Sequence, residues 1–230
     1  GCKKDDVATY SLTFDFDHQF NGEALTFNAA NFTNEAGNAM SFTTLKYLIS
    51  EVKLHRTDGT TDTYDEVFAY INPNENRTTF TIDSVLNGSF EGISFTIGLD
   101  STINHSNPNV YAADHALNPS VNQMHWDWSG GYIFLSMEGQ FEDAAANMQG
   151  FSYHIAFLEN RMPFDFMDSP FTLEANKRAK LVFNVEEAFK NPSVFDINDM
   201  GSFSHSSWDN GIANTIRDNM ASAIKIVAYE

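Results

Sequence analysis

Residues 10–20, YSLTFDFDHQF, alternate without interruption: Leu12, Phe14, Phe16, His18 and Phe20 fall on one side, and Thr13, Asp15, Asp17 and Gln19 on the other. On an extended chain a period of two sends successive side chains to opposite faces, so this run predicts a strand with one face in a core and the other in water. A half-buried strand needs further strands beside it and a second layer over its apolar face. The chain supplies them as strand-like runs over Phe42–Leu54, Thr63–Ile71, Thr78–Val85, Gly92–Leu99, Tyr132–Gly139, Phe151–Leu158 and Leu181–Val185, with a short Leu25–Asn28 piece and a closing strand through Ile224, Ile226 and Ala228. Turn signals at Asn21-Gly22, Asp58-Gly59, Asn72-Pro73-Asn74 and Asn87-Gly88 punctuate them. Helical pattern is confined to Glu186–Lys190, stopped by Asn191-Pro192, and to about Ser207–Met220, where Ile212, Ile216 and Met220 make one stripe. Residues 29–41 read as a polar, Asn-rich loop. The predicted class is all-β: a two-sheet antiparallel β-sandwich of about nine or ten strands with one or two short helices, including one near the C-terminus. It is read as a tether over residues 1–9 and a single domain over 10–230.

The apolar content, 42% with 21 Phe, is ample for a core of that size. A net charge of −18 repels nucleic-acid phosphates and anionic lipid, so nucleic acid is excluded as a partner. No G-x-S-x-G elbow, H-E-x-x-H, P-loop or G-x-G-x-x-G occurs, and carboxylate pairs are uninformative in so acidic a chain; the expectation is a protein that is not an enzyme. Cys2 is the single cysteine, which rules out a disulfide framework. Gly1-Cys2 ahead of Lys3, Lys4, Asp5 and Asp6 matches what remains after a bacterial lipoprotein signal is cut before an acylated cysteine, the alternative being an ordinary cysteine behind a cloning scar. The expectation is export to the periplasm, outer membrane or cell surface, with the membrane reached only through a lipid on Cys2.

A long polar insertion runs from Ser101 to Gln123 and ends on Met124-His125-Trp126-Asp127-Trp128. A connection of that length in a compact domain is usually functional. Asp100, Ser101, Asn104 and Asn107 offer oxygens for a hard cation, but without EF-hand spacing they read first as Asx turns. Trp126 and Trp128 are two apart, which on extended chain sets both indoles on one face and His125 and Asp127 on the other. Two of the chain's 3 Trp fall in this segment. Imidazole suits copper, zinc and nickel, and there are 7 His. His18 lies on the apolar face of its strand and needs a polar partner; His154 is inside FSYHIAF and His205 in a Ser-rich loop. Singly, each reads as a hydrogen-bonded structural histidine. His55, His105 and His115 fall in polar turns or loops.

The chain resembles the MbnP-like family of periplasmic or lipid-anchored copper-binding proteins. The resemblance rests, in order, on FDFDHQFNGEAL, on LKYLISEVKL followed by Asp58-Gly59, on FEGISFTIGLDSTIN, on MHWDWSGGYIFLSMEG, on YHIAF, and on FSHSS followed by a helix with Ala213, Ile216 and Asn219. It implies copper held by histidine imidazoles, with His18, His154 and His205 as the metal ligands. It also implies, in some members, a tryptophan oxidised to kynurenine by a partner dihaem enzyme of the MauG/MbnH type, which here points to Trp126 or Trp128. His125 stands where a tyrosine is expected in many relatives, as a further nitrogen ligand or a neutral change. Two rival readings remain open: a surface module recognising glycan or protein through Trp126, Trp128 and Trp208, and a structural domain whose histidines never meet.

Overall fold

The computed structural model describes residues 7–29, 32–127 and 130–230; Cys2 and Trp128 lie outside the described residues. Thr9–Phe20 forms one strand, and its buried residues are Leu12, Phe14, Phe16, His18 and Phe20, the set that the alternation picks out. It belongs to a 5-stranded sheet ordered Ile224–Tyr229, Lys177–Asn184, Thr9–Phe20, Glu23–Ala24, with Thr79–Leu86 also paired to Thr9–Phe20. The second sheet, 11-stranded, runs Met162–Phe166, Gly88–Ile97, Ala39–Arg56, Gly131–Glu142, Met148–Ala156, Phe203–Ser204, with short strands attached to this path. The two sheets form a curled, sandwich-like fold whose aromatic interior holds Phe14, Phe16, Tyr47 and Phe95 in edge-to-face contacts.

The all-β, two-layer expectation holds, with few short helices and one, Ile212–Asn219, near the C-terminus. The pairing is not wholly antiparallel. Thr9–Phe20 lies parallel to Lys177–Asn184, with His18 level with Phe183, and Phe203–Ser204 lies parallel to Met148–Ala156. Several elements differ from the sequence-based expectation for local reasons. Thr63–Ile71 is two strands, Thr61–Tyr64 and Ala69–Ile71. Residues 29–41 contain the strand Phe32–Thr33, and Asn34 and Asn38 there are buried, bonded to each other and to Phe195 and Asp196. Met162–Phe166 and Phe171–Leu173 are strands that short length and Pro163 conceal. The C-terminal helix begins only at Ile212, because Trp208, Asn210 and Gly211 take left-handed conformations ahead of it.

The Ser101–Gln123 insertion is also not structureless. It carries three single turns, Ser101–Asn104, Pro108–Val110 and Pro119–Asn122, capped by the side chains of Asp100, Asn107 and Asn118. Asn or Asp at the cap with Pro just inside is a helix-start signal, present twice as Asn-Pro. These caps are the Asx reading of the Asp100–Asn107 oxygens. Among the described residues no helix is long and apolar enough to cross a membrane.

Candidate metal centre

The central strands of the larger sheet have two faces with different contents. Tyr47, Leu135 and Ile155 are level with one another, as are Leu45, Met137 and Tyr153, and all six are fully buried between the sheets. The intervening rows, Lys46–Ser136–His154 and Thr44–Glu138–Ser152, therefore face the other way. The insertion reaches over this outer face. Lys46 Nζ donates to the Asn122 carbonyl oxygen at 3.1 Å, and the Tyr132 hydroxyl donates to the Leu117 carbonyl oxygen at 2.7 Å.

His154 and His205 meet on this outer face, ring centres 5.0 Å apart and planes at 81°. His205 is brought there by the short parallel strand beside Met148–Ala156, in which Ser152 pairs with Phe203 and Tyr153 with Ser204. Beyond Ser204 the Ser206 hydroxyl takes over from the backbone ladder, accepting from the Ala156 N–H at 2.8 Å and donating to the His154 carbonyl oxygen at 2.6 Å. Ser204 Oγ bonds Asp209 and accepts from the Ser206 N–H, and Asp209 accepts from the N–H groups of Gly211 and Ala213. The FSHSSWDN run is thus a self-bonded loop that fixes one imidazole.

Trp126, buried on the two-residue strand His125–Trp126, packs against both rings, with centroids 5.3 Å from His205 and 6.3 Å from His154. Phe157 closes the far side of the indole at 6.0 Å. Its backbone sits at φ 70°, ψ 149°, a region that a residue with a Cβ rarely adopts. Trp126 being buried, it is not an exposed platform; Trp208 is fully exposed.

The electrostatics favour a neutral ring at His205. Burial, then the neighbouring His154, lower the pKa of His205. Glu138 Oε1 accepts from His154 Nε2 at 2.7 Å, and that bond, with help from Thr44 and Lys46, holds the Glu138 carboxyl below its usual range against the opposing effect of burial. Nδ1 of His154 is buried and has no hydrogen-bond partner among the described residues. A buried lone pair without a donor is costly unless something occupies it.

His18 is not part of this group. Its Nε2 lies 2.9 Å from the Tyr47 hydroxyl, its ring packs on Phe183 and Phe16, and Tyr47 projects from the inner face of the sheet whose outer face carries His154. The polar partner that the sequence demanded for His18 is this tyrosine. His125 extends to the opposite side of its strand from Trp126, edge-on to Tyr132 at 4.7 Å and with Nδ1 3.6 Å from Asp127 Oδ1. Of the ligands expected from the resemblance, the structure brings together His154 and His205 and leaves His18 in the core. Glu138 went unassigned in the sequence, since one carboxylate in so acidic a chain carries no signal.

Among the described residues no group of three or more His, Cys, Asp or Glu side chains is set to hold one ion. The pair still meets a simple test: imidazoles sharing an ion at about 2 Å from each nitrogen hold their ring centres roughly 5–6 Å apart, against 5.0 Å here.

Fold and site together define a two-sheet β scaffold that presents a tethered pair of imidazoles on the outer face of its larger sheet. The MbnP family model matches residues 9–206. The chain belongs to the MbnP family. Among solved structures it is similar to MbnP from Methylosinus trichosporium, with a TM-score of 0.53 and 14% identity over 83% of this chain and 84% of that one, a likeness of fold. A search of curated protein sequences finds no match.

Proposed function

We propose that this protein binds copper on the outer face of its larger sheet through His154 and His205, to capture or deliver the ion in the bacterial cell envelope. The observation that carries this reading is the pair itself: two imidazoles 5.0 Å apart, one with a buried Nδ1 that has no hydrogen-bond partner among the described residues. Family membership adds to it. Imidazole nitrogen suits copper. Bound copper would supply a Lewis-acidic, redox-active centre. The chain's residues do the rest: the Ser206 and Asp209 loop orients His205, Glu138 bonds His154, and Trp126 and Phe157 exclude water from one side. The oxidation that the resemblance assigns to Trp126 or Trp128, by a partner dihaem enzyme, would at Trp126 fall on an indole in contact with both imidazoles. Export, and attachment through a lipid on Cys2, complete the reading.

Copper titration of the purified protein tests it, with His154→Ala, His205→Ala and His18→Gln alongside. Stoichiometric binding that is lost in the first two variants and kept in the third is expected. Binding indifferent to His154 and His205 would overturn the assignment.

A further inference from the structure

The outer face holds one strongly placed group that simple two-imidazole binding does not require. Glu138 stands one row along from His154 on the adjacent strand, a diagonal cross-strand neighbour. A bulge lies at its position: Glu138 pairs with Thr44 but Gly139 with Phe42, so Thr43 is extra. Bulges of this kind re-aim side chains and recur beside functional sites. The result is a 2.7 Å contact from Glu138 Oε1 to His154 Nε2, with Ser152 Oγ at 3.3 Å from the same nitrogen. Glu138 Oε2 accepts from the Thr44 hydroxyl at 3.3 Å. Lys46, two residues further along that strand and bonded to Asn122, sets a positive charge nearby.

An ionised carboxylate only accepts hydrogen bonds, so Nε2 of His154 carries the hydrogen and a neutral ring keeps its lone pair on Nδ1. That atom is buried and has no hydrogen-bond partner among the described residues. We propose that Glu138 is a positioning residue: it fixes His154 in the Nε2–H tautomer so that Nδ1 is the nitrogen that receives the cation. The inference rests on the copper reading for the identity of the ion, but not for the tautomer. Carboxylate support of this type fixes the ring and makes its free nitrogen a stronger donor. It also places a negative charge one imidazole away from the ion, which stabilises the divalent over the monovalent state.

The test has two readouts. Nitrogen-15 NMR of the copper-free protein, recorded where the His154 ring is neutral, is expected to show its hydrogen on Nε2 and a bare Nδ1. In Glu138→Leu the other tautomer becomes populated; in Glu138→Gln, whose amide oxygen can still accept, the ring keeps its wild-type form. A neutral His154 ring carrying its hydrogen on Nδ1 in the wild type would overturn the assignment whether or not copper binds. For copper, Glu138→Leu is expected to weaken affinity by roughly 10–100-fold, with Glu138→Gln restoring most of it, and both variants should have a higher reduction potential than wild type. Folded variants with unchanged affinity and potential would refute the role of Glu138. A wild type that binds no copper but shows the expected tautomer would refute the copper reading and leave the tautomer assignment standing.

Discussion

The Ser206 hydroxyl donates to the His154 carbonyl oxygen at 2.6 Å and accepts from the Ala156 N–H at 2.8 Å, so the residue after one imidazole is bonded to the backbone of the other. Ser206→Ala would leave a half-buried carbonyl and an N–H unsatisfied, a cost of about 1–3 kcal/mol. The expected outcome in urea denaturation is a lower midpoint with little change in slope. Copper affinity should fall further than in a surface variant of equal stability, because His205 loses its anchor.

The pair formed by His18 and Tyr47 makes stability depend on pH. Burial, opposed weakly by Asp17, pushes the His18 pKa down from 6.5 to about 4. Between those values the unfolded chain takes a proton that the folded chain refuses, so stability contributed by neutral His18 is full above pH 6.5 and drains away as pH falls towards 4. The loss is on the order of 3 kcal/mol. Denaturation midpoints measured across this window should drop with acid, and His18→Gln should flatten the dependence. Tyr47→Phe, which strips His18 of its partner, is expected to cost roughly 1–3 kcal/mol at neutral pH.

Gly139 is required by close approach. A Cβ there would overlap the Ser41 carbonyl oxygen and press on the Phe151 ring at 2.8 Å. Gly139→Ala therefore forces the bulge to shift, at a cost of about 1–3 kcal/mol or more. Since Glu138 sits at the same bulge, the variant should also alter the His154 NMR signals, which a remote core variant of equal cost would leave alone.

The two described tryptophans differ in environment. Trp208 is fully exposed and Trp126 buried against the imidazoles. Acrylamide quenching should be reduced more by Trp208→Phe than by Trp126→Phe, whereas quenching of emission by added copper should be reduced by Trp126→Phe and be insensitive to Trp208→Phe. Peptide mass spectrometry of protein purified from its native host would show whether oxidation has reached Trp126 or Trp128.

What could be read from the chain was whatever one strand reveals by itself. The burial of Leu12, Phe14, Phe16, His18 and Phe20 follows from a period visible in eleven letters, and so does the opposition of His125 and Trp126 across their strand. Pairing was not legible, because it joins distant segments: nothing near His18 announces that Phe183 lies level with it on a parallel neighbour. The candidate site depended on pairing throughout. His18 and His154 look equivalent as letters within strands, yet register places them on opposite sides of one sheet. Met162–Phe166 escaped notice because it is short and contains Pro163.

The alternation along residues 135–138 and 152–155 has an evolutionary consequence. Odd-numbered positions such as Leu135, Met137, Tyr153 and Ile155 answer to the interior, and the even-numbered Ser136, Glu138, Ser152 and His154 answer to whatever the outer face binds. Two selective pressures thus act on interleaved positions without meeting at any one of them. A lineage can change its cargo by substituting every second residue while the other set keeps the protein folded, and such divergence would be recorded as two different substitution rates within a single strand.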